Sequence, residues 1–228
     1  MKSNQWLKGS FCLLTSLVIV CVILVNNGLC SWFSKPWREV TLSPDEAYQK
    51  LSTSKKISFK GKIKRDTISK KSSIWIGDEC VGGALESGIF NTKVTVVSGE
   101  TDFFSIAYGD LTVDGEITAT TFSYHSPDDD IIGYAQETVM TFKDGSREYV
   151  FLFYDKNKTR KPYYLYRNKI YNPDGKILAA AEDNFKTFSL SSKYELILTF
   201  YDENIDIEDR LFLYIKVLDA IEARIIGR

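Results

Sequence analysis

Eight basic side chains crowd into residues 55–71: Lys55, Lys56, Lys60, Lys62, Lys64, Arg65, Lys70 and Lys71. Lys60, Lys62 and Lys64 alternate with Phe59, Gly61 and Ile63, so a strand here turns one face to a core and the other, basic, to solvent. A row of ammonium groups suits anionic head groups, at about 1 kcal/mol per Lys or Arg near an anionic membrane. The candidate lipid contacts are therefore Lys55, Lys56, Lys60, Lys62, Lys64 and Arg65. Lysines also protect a strand edge from unwanted pairing, and the pattern alone does not separate the two roles. Nucleic acid fits less well, because the run lacks interleaved aromatic side chains and the rest of the chain is acidic.

Asp202, Glu203, Asp206, Glu208 and Asp209 form the opposite feature. Five carboxylates in eight residues are oxygen donors of the kind calcium takes, which makes them a weak calcium candidate. EF-hand spacing is absent and no turn glycine is present, so capping of a following helix explains these acids better. His125 is the single histidine and opens His125-Ser126-Pro127-Asp128-Asp129-Asp130, which reads as loop chemistry. Cys80 lies among acids that oppose thiolate formation, and Gly82-Gly83 has no phosphate-loop companions and reads as a turn. With one histidine and no catalytic motif, the expectation is a non-enzymatic protein without a metal or other cofactor.

The elements that must carry these groups begin with an apolar stretch. Phe11–Val25 is hydrophobic apart from Thr15 and Ser16, and no charge falls between Lys8 and Lys35. Fifteen residues span only about 22 Å as a helix, but extension to Phe33 reaches the width of a hydrocarbon core. Trp6, Trp32, Phe33 and Trp37 then fall near the two interfaces. The reading favoured is a single uncleaved anchor over residues 11–33, after a basic flank at 1–10. The rival is a signal peptide cut after Cys30, with Gly28 and Cys30 as its small residues. The net charge of −1 conceals a division: residues 1–73 carry 13 basic and four acidic side chains, net +9, and the remainder carries 16 and 26, net −10. Positive charge following the anchor favours a cytoplasmic body on a single-pass membrane protein. Three of the four cysteines precede residue 31, which excludes a disulfide scaffold.

Ser43-Pro44-Asp45-Glu46 opens a short helix, with Ser as cap, Pro at the first position and Glu at the third, so residues 34–56 read as short helix and polar linker. From residue 57 the period becomes two. Strand-like runs follow at 57–63, 73–76, 90–97, 103–107, 111–113, 116–124, 131–142, 148–154, 163–171, 176–181, 185–190 and 194–201. Asp114-Gly115, Asp144-Gly145 and Asn172-Pro173-Asp174-Gly175 supply turns between them. Leu211, Tyr214, Ile215, Leu218, Ile221 and Ile225 recur at helical spacing, and Phe212, Leu213 and Val217 make the helix at 205–225 apolar nearly all round. Such a helix needs walls on every side. The sequence predicts a mainly β domain at 57–228, closed or sandwiched, with that helix enclosed.

Ile170-Tyr171-Asn172-Pro173-Asp174-Gly175-Lys176-Ile177-Leu178-Ala179-Ala180 resembles a hairpin of the tubby carboxy-terminal-like superfamily, which includes LURP-one-related proteins and phospholipid scramblases. Tyr194–Leu198 is similar to its next strand, and 202–224 to its acidic turn and closing helix. The likeness is clearest over 147–228. It implies a closed antiparallel barrel of about twelve strands around a C-terminal hydrophobic helix. Together with the apolar segment and the division of charge, the expectation is a membrane-anchored binding or scaffold protein with its basic face on anionic lipid and its acidic body free for a protein partner. The alternative is a secreted or surface-exposed barrel module that binds a small apolar ligand or a protein partner after signal cleavage. The chain lacks the proline-rich leader and cysteine clusters of scramblases, and tubby head-group positions do not map onto it residue by residue.

Overall fold

The computed structural model describes residues 38–40, 42–64, 71–87, 93–98, 101–114, 117–183 and 191–226. The expected basic flank at 1–10, the anchor or signal segment at 11–33, the turn at Asp114-Gly115 and the run at 185–190 lie wholly or partly outside these residues. Among the described residues no helix is long and apolar enough to cross a membrane.

Period-two alternation yields twelve strands among the described residues: β1 (Lys56–Lys64), β2 (Lys71–Ile76), β3 (Glu79–Ser87), β4 (Lys93–Ser98), β5 (Thr101–Asp114), β6 (Ile117–His125), β7 (Ile131–Thr141), β8 (Arg147–Asp155), β9 (Arg160–Tyr166), β10 (Lys169–Tyr171), β11 (Ile177–Asp183) and β12 (Ser191–Phe200). Each pairs antiparallel with its neighbours in sequence, and β1 closes the ring on β12 from Lys56↔Thr199 to Lys64↔Ser191. Among the described residues, closure gives every strand a neighbour on both sides.

The boundaries differ from the sequence expectation in three instructive places. Gly82-Gly83 is not a turn: both residues pair within β3, against Ile74 and Ser73 of β2. The reversal comes earlier, at Gly77-Asp78, where Gly77 has φ +59°. The run at 163–171 is two strands, because Arg167 takes φ +54° and turns the chain there. Asn168 then fastens the turn to β11, its Nδ2 donating to the Ala181 carbonyl at 2.9 Å. The runs at 103–107 and 111–113 join into one strand, β5, whose register shifts between Tyr108 and Leu111.

Helix α1 (Pro44–Thr53) has the expected capping box: Ser43 Oγ accepts from Glu46 N at 3.3 Å, and Glu46 Oε2 accepts from Ser43 N at 2.9 Å. Helix α2 (Ile207–Ile226) would run about 30 Å. Its side chains meet strands from all round the ring. Phe212 packs edge-on to Phe122 of β6 and to Phe151 and Phe153 of β8, with centroids 5.0–5.9 Å away. The Tyr214 ring stacks on Phe59 of β1 at 3.9 Å, and its hydroxyl bonds Ser72 of β2 at 2.8 Å and Tyr194 of β12 at 3.0 Å. The helix therefore occupies the barrel interior, and Leu211–Ile215 are all buried. A twelve-stranded wall is wide enough to hold a helix.

Helix α1 covers the end of the barrel where α2 begins. Ala47 and Leu51 are fully buried, Tyr48 Oη lies 3.2 Å from Glu208 Oε1, and Lys50 pairs with Glu79 at 2.5 Å. Arg210, only 1% exposed, ties the parts together through carbonyl oxygens alone. Its Nη1 donates to Ser54 O at 3.1 Å and Leu51 O at 3.4 Å, Nη2 to Glu203 O at 3.0 Å and Nε to Ile205 O at 2.8 Å. The guanidinium also lies 4.5 Å from the Phe200 ring centre. Its five donors in a rigid fork suit the collection of several carbonyls at once.

Candidate functional sites

The basic face follows from the alternation of β1. Ile57 and Phe59 are fully buried against the core, so the positions between them face outward. Lys55, Lys56, Lys60 and Lys71 are exposed. Lys60 lies 4.9 Å above the Trp75 ring and 3.7 Å from Glu195, and Lys55 stands 3.8 Å from Glu203. Exposed pairs of this length contribute little and leave both lysines available to a stronger anion. The register adds a feature the linear pattern does not contain. Lys62 of β1 is directly opposite Lys71 of β2 on one side and Lys193 of β12 on the other. The register thus places three lysine positions abreast on neighbouring strands. Lys64 continues β1, whereas Arg65 lies outside the described residues.

The five carboxylates at 202–209 do not converge. Asp202 Oδ1 accepts from Asn204 N and Nδ2, both at 2.9 Å, and Glu203 points to Lys55. Glu208 receives Tyr48, and Asp206 Oδ2 lies 2.6 Å from Lys161 Nζ. Asp209 is fully buried, its Oδ2 accepting from Lys161 Nζ at 2.6 Å and from Tyr163 Oη at 2.8 Å. The Lys161 ammonium thus occupies the position of a cation. Among the described residues no three Asp, Glu, His or Cys side chains form a group that could hold a metal ion.

This buried cluster is electrostatically tense. Burial pushes the Asp209 carboxyl up to about 6, against the pull of Lys161 and Tyr163. Burial also raises Glu208 and the phenols of Tyr48, Tyr124 and Tyr163. For Lys161, burial opposes the charge, but Asp209 and Asp206 outweigh it and the ammonium is held more firmly. Asp209 Oδ1 and Tyr124 Oη are also buried, and the Asp209 carboxylate adds to burial in raising the Tyr124 phenol. Beside the cluster a cavity of about 360 Å³ opens between Lys161, Lys176, Leu178, Asn204, Asp202 and Asp206. Its two ammonium groups and two carboxylates balance, so it selects no sign of charge. Lys161 and Tyr163 escaped the sequence reading because they are near the start of a strand, where only their inward alternation, two residues apart, marks them.

The loop at His125 also holds more than the sequence indicates. His125 Nε2 lies 2.7 Å from Ser123 Oγ, while Nδ1 lies 3.2 Å from both the Asp129 carbonyl and Asp129 Oδ1. Ser123 and His125 share the outer face of β6, since Phe122 and Tyr124 between and beside them are buried. Asp129 returns over the ring because the turn closes on itself: Asp129 N donates to Ser126 O at 3.0 Å, and Asp129 adopts φ +66°. Of the three consecutive acids at 128–130, it is this one that engages the imidazole.

Cys80 is half-buried, and its thiol lies 3.6 Å from the Gly82 carbonyl. Burial raises its pKa, in keeping with the inert reading.

No protein-family model, no curated protein and no solved structure matches the chain.

Proposed function

We propose that this protein is a membrane-associated binding or scaffold protein whose barrel meets anionic lipid through the outer face of β1 and its neighbours. The observation that carries the reading is the register of Lys62 between Lys71 and Lys193, beside exposed Lys55, Lys56 and Lys60. The apolar segment at 11–33, taken as an anchor, would tether the domain to a bilayer. Counterion release and local attraction then give each lysine a share in binding. Helix α2 fills the interior with its own side chains, which weighs against a carrier for a small apolar ligand. Partners are left the outer wall and the barrel ends. The closed twelve-stranded meander around a C-terminal helix is the architecture that the resemblance to the tubby carboxy-terminal-like superfamily implies, and membership of that superfamily is part of the proposal. A cytoplasmic position of the body is part of the same reading.

The test uses the full chain in vesicle flotation, comparing phosphatidylcholine alone with the same lipid containing phosphatidylserine. Stronger flotation on the anionic vesicles, lost with rising salt and lost in a Lys55→Glu/Lys56→Glu/Lys60→Glu variant, supports the reading. Equal flotation of wild type and variant on both vesicle types overturns it.

A further inference from the structure

We propose that Ser123, His125 and Asp129 form a nucleophilic relay that accepts an acyl group from small activated esters. The inference is independent of the lipid-binding reading, since β6 lies five strands round the wall from β1. It begins with the tautomer of the sole histidine. His125 Nδ1 is 3.2 Å from the Asp129 carbonyl oxygen, which can only accept a hydrogen bond, so Nδ1 carries the proton. In the neutral ring the lone pair is therefore on Nε2, and Nε2 faces Ser123 Oγ at 2.7 Å. The serine hydroxyl donates to that lone pair, as a general base requires. Asp129 Oδ1, 3.2 Å from Nδ1, is placed to stabilise the imidazolium that forms when Nε2 takes the proton.

The surroundings allow a substrate to approach. Ser123 is half-buried on the outer wall, directly opposite Ala107 of β5 and Tyr134 of β7. Lys158, in the turn after β8, holds its ammonium 6.0 Å from the Tyr134 ring centre and adds positive charge on this face. The small Ala107 and the flat Tyr134 ring suit a short acyl chain with an aryl leaving group.

The reaction balances without a further reagent except water. Ser123 Oγ bonds the ester carbon while its proton passes to His125 Nε2. Collapse of the adduct breaks the bond to the aryl oxygen, which leaves with the proton from Nε2. Water then adds to the acyl-serine, giving its proton to Nε2. The carboxylic acid departs and Ser123 recovers its proton. Ser123 and His125 are the catalytic residues, and Asp129 is a positioning residue.

The test incubates the full chain with a fluorophosphonate probe and, separately, with p-nitrophenyl acetate. One adduct per chain, mapped to Ser123 and absent from Ser123→Ala, is the expected result. His125→Gln should slow labelling by ~10²–10⁴-fold, and added imidazole should restore part of the rate in His125→Ala. Asp129→Asn should lower kcat for the acetate on the order of tenfold without raising KM, with partial recovery in Asp129→Glu. The loss is smaller than for the base because the Asp129 carbonyl still holds the Nδ1 proton. No adduct on wild type, an adduct elsewhere, or equal labelling of wild type and His125→Gln would each overturn the proposal. The wild-type adduct and its position decide the matter even if a variant fails to fold.

Discussion

Replacing Asp209 by asparagine should change how the stability of this barrel depends on pH. The carboxyl is fully buried, and its pKa rises from 3.8 to about 6 on folding. The unfolded chain therefore loses this proton first as pH rises, whereas the folded chain keeps it until about 6. Stability from this group is full below 3.8 and is lost as pH climbs through 6, the reverse of a carboxylate that gains a partner on folding. A shift of roughly two units at 1.36 kcal/mol each gives about 3 kcal/mol, most of it released between pH 4 and pH 8. Asparagine removes the charge yet can still accept from Lys161 and Tyr163, and Lys161 keeps Asp206 as a partner. Urea unfolding of both proteins from pH 4 to pH 8, followed by tryptophan fluorescence, measures the effect. The variant should gain about 2 to 3 kcal/mol relative to wild type across that range. A difference that stays constant with pH, or that turns in favour of wild type as pH rises, would refute the reasoning. The second outcome would mean that the ion pair with Lys161 outweighs desolvation.

Two further substitutions test the packing. Gly61→Ala would place a methyl 2.6 Å from Tyr194 Oη and 2.8 Å from the Lys71 carbonyl, and the backbone oxygen cannot yield. A loss of about 1–3 kcal/mol is expected in a thermal melt, and an unchanged melt would show that the ring moves aside at no cost. Arg210→Met keeps the bulk but leaves the Leu51, Ser54, Glu203 and Ile205 carbonyls without this donor, for a loss of about 3 kcal/mol or more. Helix α1 should detach first, seen as new protease cleavage between residues 42 and 56. Cleavage spread evenly over the chain would argue against that role.

The barrel was legible in its strands because Phe59, Phe122, Phe153 and Leu196 alternate with outward positions regardless of their partners. The enclosed helix was legible for the complementary reason: Leu211–Leu218 leaves it almost no polar side. Strand β3 was hidden, since Gly82, Gly83 and flanking acids carry little strand preference of their own. It exists because β2 and β4 offer backbone partners on both sides. The turn at Arg167 was hidden as well, because a left-handed arginine leaves no mark of the kind Gly175 leaves.

Chemistry depended still more on the third dimension. Alternation along one strand determined that Lys56, Lys60, Lys62 and Lys64 share a face. Lys71 and Lys193 joined them only when β1 found its register on both sides. The spacing of Ser123 and His125 put them on one surface, but the turn through Asp129 brought its carboxylate to the ring. The acids at 202–209 looked like one cluster, and folding distributed them among Asn204, Lys55, Lys161, Tyr48 and Tyr163. Local period and polarity belong to the chain itself, because they depend on neighbours within a few residues. The partners of a buried charge depend on which strands meet around the helix, and only the closed barrel decides that.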